Sequence, residues 1–309
     1  MRIITVQGAQ RIMKYAAAVD IGGTNTRIAL INENYDIEER IQFPTDAEDP
    51  WTVLKKICET VREFDKHVIG IGLSCPGPLD LITGKVLTPP NLHGPWHFLN
   101  ITDELELLMH MPVYLENDAN LAALAEAVLG AGKDHRIVQY LTVSTGLGAG
   151  LVIDRKIYRG AHGFANEVAN TILFPNGPQH GELLAGALEA ISSGTAIGHR
   201  AVKAGLVIRH AGDVNDLARA GNPAAKQIMN EAKQYLANYI AGVIGFADPD
   251  IIILGGSVAL KIDGFVQEVE ELVKTKVYPV VRPYVNIRKA TLDEDCGLLG
   301  AACLVFENN

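Results

Sequence analysis

Patterns typical of strands and helices alternate along the chain. Short apolar runs over 16–21, 26–32 and 67–76 predict buried strands, whereas residues 50–65 have the spaced apolar positions of an amphipathic helix. The same alternation continues to a final predicted helix over 297–306. This arrangement favours an α/β fold.

Longer periodic segments predict the helices of the second half. Residues 118–130 are rich in Ala and Leu and end near a glycine, and a further helix is predicted over 181–204. Pro223 is typical of the first turn of a helix, which we expect to run to about residue 247. Residues 79–88 predict a hairpin.

The length of the chain suits two domains. It has 309 residues, 48% hydrophobic and 20% charged, and one core of that size commonly splits into domains of roughly 150 residues. We expect an N-terminal tail over 1–14, an N-terminal domain over 15–118 and a C-terminal domain over 119–296. The last helix, at about 297–309, is expected to join the N-terminal domain.

Charge and composition argue against several classes of function. The net charge is -9, and the chain lacks a run of Lys and Arg, so no nucleic-acid partner is expected. It also lacks the apolar run of about 18 residues that a membrane span needs, and its N-terminus lacks the apolar core of a signal peptide. The four cysteines are not spaced as metal ligands and indicate reduced thiols in a cytoplasmic protein.

A first glycine-rich stretch, DIGGTNTR over 20–27, lies between two predicted strands. Gly22 and Gly23 allow close backbone approach, and successive amides in such a turn can bind a phosphate. Asp20 at the strand end suits a hydrated Mg²⁺. The alternative is a plain hairpin turn.

A second stretch, LTVSTGLGAG over 141–150, has the same design about 120 residues later. Two such hairpins predict two similar halves that face each other across a cleft. Neither hairpin has the G-x-G-x-x-G pattern or opens a helix, so a dinucleotide-binding fold is not supported. Residues 130–134 resemble the end of a P-loop but lack its upstream glycine and its hydroxyl residue.

Asp118 follows a buried strand and begins a helix in the segment ENDAN. Ligands of open α/β sheets bind at such strand ends. A carboxylate there can accept the proton of a sugar hydroxyl, which is a poor nucleophile, with Asn117 as a partner for the sugar. The alternative is an N-cap, because Asp and Asn are preferred there; taken alone, Asp118 favours that interpretation.

Two other stretches are weaker signals. The polar segment 163–170, with Glu189, can bind a sugar through its carboxylates, although a solvated loop is the default interpretation. The apolar strand over 251–254 ends at Gly255 and Gly256, where an adenine or ribose has room. A turn that needs small residues explains this pair equally well.

Together and in this order, these stretches resemble the ROK family of bacterial sugar kinases and related repressors, within the actin-like ATPase superfamily. The similarity starts at about Tyr15, and its most specific pieces are DIGGTNTR, ENDANLAALAEAVLG, STGLGAG and IIILGGSVA. The resemblance implies an α/β fold of two ribonuclease-H-like (actin-like ATPase) domains around a cleft. It also implies phosphorylation of a hexose or hexose derivative by ATP.

The resemblance implies roles for individual residues. Asp118 matches the general base, and Asn117, Glu167 and Glu189 match sugar ligands. The expected cofactors are ATP and Mg²⁺, with Asp20 holding Mg²⁺ through water. The residues that match the nucleotide loops are Gly22, Gly23, Thr24, Thr145, Gly146, Gly255 and Gly256. Family members are often dimers or tetramers, so a homodimer or higher homo-oligomer is expected.

The chain departs from the family at the segment G-E-x-x-H, which reads Asn166-Glu167-Val168-Ala169-Asn170 here. In the family this histidine contacts the sugar and ligates a structural zinc, and the cysteines that complete the zinc site are absent here. We therefore predict no zinc site and keep Asn170 as a candidate sugar contact. Packing by Leu173 and Phe174 is our hypothesis for what replaces the metal.

Two alternatives to a kinase remain: a sugar-responsive transcription repressor and a non-catalytic sugar-binding or regulatory ROK protein. Only about 14 residues precede the first strand, too few for a helix-turn-helix, and retention of Asp20, Asp118 and both hairpins argues against loss of catalysis. The sugar is not named by the sequence: glucose is the default, and N-acetylmannosamine, fructose, allose or a glucoside are open.

Overall fold

Contacts within the computed structural model, which describes residues 12–309, group the chain into two compact units. The first contains the described residues up to 79 with 83–116 and 301–309, and the second contains 80–82 and 117–300. Residues 1–11 of the predicted tail lie outside the described residues. Whether the units are independently folding domains stays a prediction.

Strands of the first half build one five-stranded sheet and a small hairpin. They are β1 (Tyr15–Ile21), β2 (Asn25–Asn32), β3 (Ile37–Pro44), β4 (Val68–Cys75), β5 (Leu79–Asp80), β6 (Lys85–Val86) and β7 (Val113–Asn117). The sheet order is β3-β2-β1-β4-β7, with β1, β2 and β3 antiparallel and β4 parallel to β1. β5 pairs with β6, which confirms the predicted hairpin. The helices of this half are α1 (Pro50–Glu63) and α2 (Ile101–Met109).

Strands of the second half form a sheet with the same order. They are β8 (Ile137–Val143), β9 (Leu147–Ile153), β10 (Lys156–Ile157), β11 (Ile251–Gly255) and β12 (Ile287–Lys289). The order is β10-β9-β8-β11-β12; β8, β9 and β10 are antiparallel, and β11 runs parallel to both β8 and β12. Both sheets therefore extend an antiparallel three-stranded meander beyond its first strand, as expected for two similar halves.

Helices of the second half cover this sheet and pack on one another. They are α3 (Asp118–Val128), α4 (Leu188–Ser192), α5 (Gly194–Lys203), α6 (Ala211–Arg219), α7 (Pro223–Ala247), α8 (Gly256–Lys261) and α9 (Phe265–Lys274). The last helix, α10 (Cys296–Asn308), follows them, and its residues from Ala301 onward group with the first unit. Pro223 does begin α7, and the Asn222 side chain caps it by accepting from the Ala225 amide. Within residues 12–309, no helix has both the length and the apolar character needed to cross a bilayer.

The predicted helix over 181–204 is wrong in its first part. Helix α4 starts only at Leu188 and ends before Ser193. Ser193 is the N-cap of α5, and its side chain accepts from the Ala196 amide. Glycines with positive φ, including Gly181 and Gly186, keep the preceding residues out of a helix. The short helix α8 was also missed, because a glycine pair after a strand indicates a turn.

Helix α3 lies directly on β9 because two glycines of that strand remove the side chains between them. A Cβ added to Gly148 would lie 2.9 Å from the Ala119 Cβ, and one added to Gly150 would lie 2.7 Å from the Ala123 Cβ. Such distances are too short for real carbon–carbon contacts. This close approach positions the start of α3, and therefore Asp118, beside the glycine-rich turn that precedes β9.

Replacing Gly150 with Ala should push α3 away from β9. We expect Gly150→Ala to cost about 1–3 kcal/mol of unfolding free energy, as overpacked cores do. Gly242→Ala is the matched control, because Gly242 is an exposed residue of α7 with open space at its Cβ position; it should be neutral or stabilising by up to about 1 kcal/mol. Thermal unfolding tests both, and equal effects would contradict the packing argument.

Candidate active site

Six of the predicted site residues meet in one cavity of the second unit. The cavity has a volume of about 420 Å³. It is formed by the start of α3, the turn between β8 and β9, the loop around 167 and the first turn of α4. The predicted residues that line it are Asn117, Asp118, Thr145, Gly146, Glu167 and Glu189.

Asn117, and not Asp118, is the N-cap of α3. Its Oδ1 accepts from the Ala119 amide at 2.8 Å and from the Asn120 amide at 3.2 Å. Asp118 is the first helical residue; its Oδ1 accepts from the Ala119 amide at 2.7 Å, and its side chain remains exposed. The cap that the sequence suggested for Asp118 is thus supplied by its neighbour. The positive end of the helix dipole stabilises a carboxylate at this position.

Glu167 lies near Asp118, and its ionisation is disfavoured. Solvent reaches the side chain, but surrounding protein atoms crowd the carboxyl group. This desolvation raises the pKa of Glu167, and the negative charge of Asp118 raises it further. A sugar whose hydroxyls donate to these carboxylates would relieve the repulsion, so the pair favours a polyhydroxylated, uncharged ligand.

Glu189, half-buried at the start of α4, contacts the turn between β8 and β9. Its Oε2 accepts from the Leu147 amide at 2.6 Å, a charge-assisted bond. A Cβ on Gly146 would lie only 2.8 Å from the same oxygen. The carboxylate therefore fits against a glycine of the turn.

The loop between Glu167 and Glu189 is closed by hydrogen bonds and aromatic stacking. The Glu189 amide donates to the Ala169 carbonyl at 3.1 Å. Phe174 stacks on Tyr235 of α7 with ring centroids 5.0 Å apart, and Leu173 packs against the helical core. These contacts agree with our hypothesis of apolar packing in place of a metal.

Asn170 does not line the cavity. Its Oδ1 accepts from the Leu184 amide at 2.9 Å, across the loop, so its side chain has a structural use that the sequence did not predict. Among residues 12–309, no group of three or more His, Cys, Asp or Glu side chains is arranged to hold a metal ion. The absence of zinc stays a prediction for chemical analysis.

A larger cavity of about 920 Å³ adjoins the same turn of the second unit. Ser144 and Thr145 line both cavities. The Gly194 amide donates to the Ser144 carbonyl at 2.7 Å, which holds α5 against the turn. The sequence did not identify its other lining residues, which come from α5, α6, α8 and the loop before α6 and include Thr195, His199, Arg209, Asn215, Ser257 and Lys261.

Gly255 and Gly256 lie behind this turn and line neither cavity. Gly256 has a φ of +83°, and a Cβ there would lie 2.5 Å from the Val143 carbonyl oxygen. A Cβ on Gly255 would lie 2.2 Å from the Tyr140 hydroxyl oxygen. Both positions require glycine for close packing, which supports the interpretation as a small-residue turn, and Ser257 is the neighbour that reaches the cavity.

The first glycine hairpin belongs to the first unit. The Gly22 amide donates to the Asn25 carbonyl at 2.9 Å and closes the turn. Asp20 lies opposite Arg27 on β2, and the guanidinium Nη2 is 2.5 Å from Asp20 Oδ2. This ion pair was not anticipated when Asp20 was assigned to Mg²⁺. Thr24 lies in the turn and is exposed.

The sequence pattern of the ROK family matches residues 16–308. This match covers almost the whole chain, and the chain belongs to the ROK family. The family prediction made from the motifs is thus confirmed.

Curated relatives align over nearly their whole length. A glucokinase from Thermotoga maritima is 32% identical over 306 residues, covering 94% of this chain and 96% of the relative. An N-acetylmannosamine kinase from Vibrio vulnificus is 33% identical over 295 residues, with 94% and 98% covered. Two relatives named for different sugars are thus about equally similar to this chain.

Solved structures share the fold. A ROK hexokinase from Thermus thermophilus has a TM-score of 0.85 and 32% identity, covering 95% of this chain and 98% of its own. A ROK glucokinase from Streptomyces griseus, in complex with glucose and AMPPNP, has a TM-score of 0.75 and 26% identity, with 95% and 99% covered. The predicted α/β fold of two actin-like ATPase domains is confirmed.

The raised pKa of Glu167 predicts a pH-dependent cost to stability. Below its ordinary pKa of 4.5, Glu167 is protonated in both the folded and the unfolded chain and contributes nothing. Above that value, ionisation is less favourable in the folded state, so stability is lost as the pH rises. Glu167→Gln should therefore raise Tm at pH 8 and have little effect at pH 4.

The control for this measurement is Glu182→Gln, which changes an exposed glutamate of the same loop. Its Tm should follow that of the unmodified protein across the pH range. An effect of Glu167→Gln that is the same at pH 4 and pH 8 would contradict the desolvation argument.

Proposed function

We propose that this protein transfers the γ-phosphoryl group of ATP to a hydroxyl of a hexose or hexose derivative, with Asp118 as the general base. The sugar-kinase class is the part that its relatives bear out. The observation that carries the assignment of the site is the cavity in which Asp118, Glu167 and Glu189 meet a glycine and hydroxyl-rich turn.

Asp118 is suited to activate a sugar hydroxyl. In phosphoryl transfer the protein mainly positions the reactants, and a carboxylate accepts the proton as the hydroxyl attacks. The Asn117 cap fixes the start of α3, and the Asp118 carboxylate is exposed to the cavity. The transferred proton moves from the hydroxyl oxygen to Asp118 as the new oxygen–phosphorus bond forms and the bond to ADP breaks.

Glu167 and Glu189 are proposed to orient the sugar ring. Carboxylates are acceptors for pairs of sugar hydroxyls, and both line the cavity with Asp118. Asn117 is proposed as a further contact. Asn170 accepts from the Leu184 amide. We propose that it stabilises the loop and does not contact the sugar.

The nucleotide is proposed to bind beside the second glycine turn. Thr145 and Gly146 present hydroxyl and backbone groups to phosphate, and the 920 Å³ cavity next to them suits an adenosine. Gly22, Gly23 and Thr24 remain proposed phosphate contacts of the first hairpin. Gly255 and Gly256 lie behind the turn. We propose that they act on nucleotide binding only indirectly, through their close packing against β8.

Asp20 is the proposed partner of Mg²⁺. Its carboxylate lies at a strand end beside a glycine turn and accepts from Arg27, which leaves contact through water as the fitting mode. Mg²⁺, when bound, neutralises charge on the phosphates. Arg27 would hold the Asp20 carboxylate in one orientation toward the hydrated ion.

Asp118→Asn tests the proposed base. Asn keeps the shape but cannot accept the proton, so turnover in a coupled ADP-release assay should fall by about 10²–10⁴-fold. ATP binding, measured by calorimetry, should be nearly unchanged. The assay is run first over a panel of hexoses and N-acetylhexosamines to find the sugar.

The control variant is Asp65→Asn, an exposed aspartate of the first unit, which should retain full turnover. Retained activity in Asp118→Asn would overturn the assignment of the base. Absence of ADP release with every sugar would favour a non-catalytic sugar-binding or regulatory protein.

Removal of metals separates the roles of Mg²⁺ and zinc. EDTA should abolish turnover, because the phosphate charge is then uncompensated, and Mg²⁺ alone should restore it. Mass spectrometry of metals in the purified protein should find far less than one zinc per chain. One zinc per chain, or activity that needs zinc for recovery, would contradict the metal-free loop.

The remaining proposals concern assembly and location. We propose a homodimer or higher homo-oligomer in the cytoplasm, on the basis of the family resemblance. Glucose is the default substrate and N-acetylmannosamine the main competitor.

A further inference from the structure

Glu189 contacts the phosphate-binding turn while lining the proposed sugar cavity. Its Oε2 accepts from the Leu147 amide at 2.6 Å, and Leu147 is the first residue of β9, directly after the turn. Ser144 and Thr145 of this turn line both cavities of the second unit. One side chain therefore connects the place proposed for the sugar with the place proposed for the phosphates.

The other end of the turn is held by different groups. The Ser144 carbonyl accepts from the Gly194 amide at 2.7 Å, and the Ser144 hydroxyl shares a hydrogen bond of 3.2 Å with Ser257. Helices α5 and α8 thus hold its start, whereas Glu189 of α4 holds its end. The Leu147 amide donates to Glu189 Oε2, so it loses this acceptor if the carboxylate moves away.

A carboxylate has two oxygens and can accept several donors at once. A sugar hydroxyl that donates to Glu189 would select one side-chain rotamer of that residue. The same rotamer keeps Oε2 on the Leu147 amide, and the space beside Gly146 accommodates it. Sugar binding would then order the turn that receives the phosphates.

We propose that Glu189 is a positioning residue that couples sugar binding to nucleotide binding through the Leu147 amide. This inference rests on the proposed function and extends it. The coupling is reciprocal, so sugar and nucleotide each tighten the binding of the other by the same factor. When ATP binds before a sugar, the turn would be incompletely ordered. Transfer of the γ-phosphoryl group to water in place of a sugar would therefore be slow.

The test measures the Kd of AMPPNP with Mg²⁺, with and without a saturating concentration of a sugar whose binding to the protein is first established by calorimetry. In the unmodified protein the sugar should lower this Kd by about fivefold or more. Glu189→Gln keeps an oxygen that can accept from the Leu147 amide. This variant should bind the sugar more weakly, yet the sugar should still lower the Kd of AMPPNP by the same factor. Glu189→Ala removes the acceptor, and the factor should fall to one.

The matched control is Glu167→Ala, which removes a carboxylate of the same cavity on a different loop. It should weaken sugar binding but leave the coupling factor intact once the sugar is saturating. A factor in Glu189→Ala equal to that of the unmodified protein would overturn the proposal, and so would a factor of one in the unmodified protein.

A second measurement covers the case in which Glu189→Ala is poorly folded. Hydrogen exchange of a peptide spanning 144–150 should slow on sugar binding in the unmodified protein and in Glu189→Gln. Unchanged exchange in both would overturn the coupling. Because both measurements record binding, they are independent of turnover: a protein that never releases ADP refutes the proposed function, whereas normal turnover without coupling refutes only this inference.

Discussion

The contact between α3 and β9 is the constraint on which the site depends. Gly148 and Gly150 leave no side chains between the helix and the strand, so the helix can lie against the sheet. The same strand begins at the glycine turn, and the same helix begins at Asp118. One packing contact therefore sets the separation between the proposed base and the proposed phosphate-binding turn.

The carboxylates of the cavity are kept at an electrostatic cost. Desolvation and the charge of Asp118 raise the pKa of Glu167, which means that the folded chain tolerates an unfavourable negative charge. Glu189 has a donor within the protein, since its Oε2 accepts from the Leu147 amide. A sugar would provide the remaining donors, since its hydroxyls can bond to several carboxylates. The arrangement is thus better suited to the bound state than to the empty cavity.

The fold was readable from the sequence wherever local chemistry and periodicity agree. The apolar strands, Pro223 at the start of α7 and the two glycine hairpins all appear where they were predicted. The loop over 170–187 was not readable, because its structure depends on long-range contacts such as the stacking of Phe174 on Tyr235. Sequence spacing carries no information on such partners.

Only part of the candidate site could be predicted from the sequence, again because contacts between distant residues leave no local pattern. Asp118 and its neighbours form a contiguous motif, whereas the larger cavity draws on short helices that are distant in sequence. Two assignments changed once side chains had positions: the capping group is Asn117, and Asn170 bonds across its loop. The ion pair between Asp20 and Arg27 could not be predicted without the register of β1 and β2, which places the two residues opposite each other.

The most direct measurement is a crystal structure of the protein with its preferred sugar, AMPPNP and Mg²⁺. The account predicts a sugar hydroxyl about 2.6–3.2 Å from an Asp118 carboxylate oxygen, with that hydroxyl directed at the terminal phosphorus. Glu167 and Glu189 should contact other hydroxyls of the same ring. A sugar bound with no hydroxyl within reach of Asp118, or with another group between its reacting hydroxyl and the phosphate, would contradict the account.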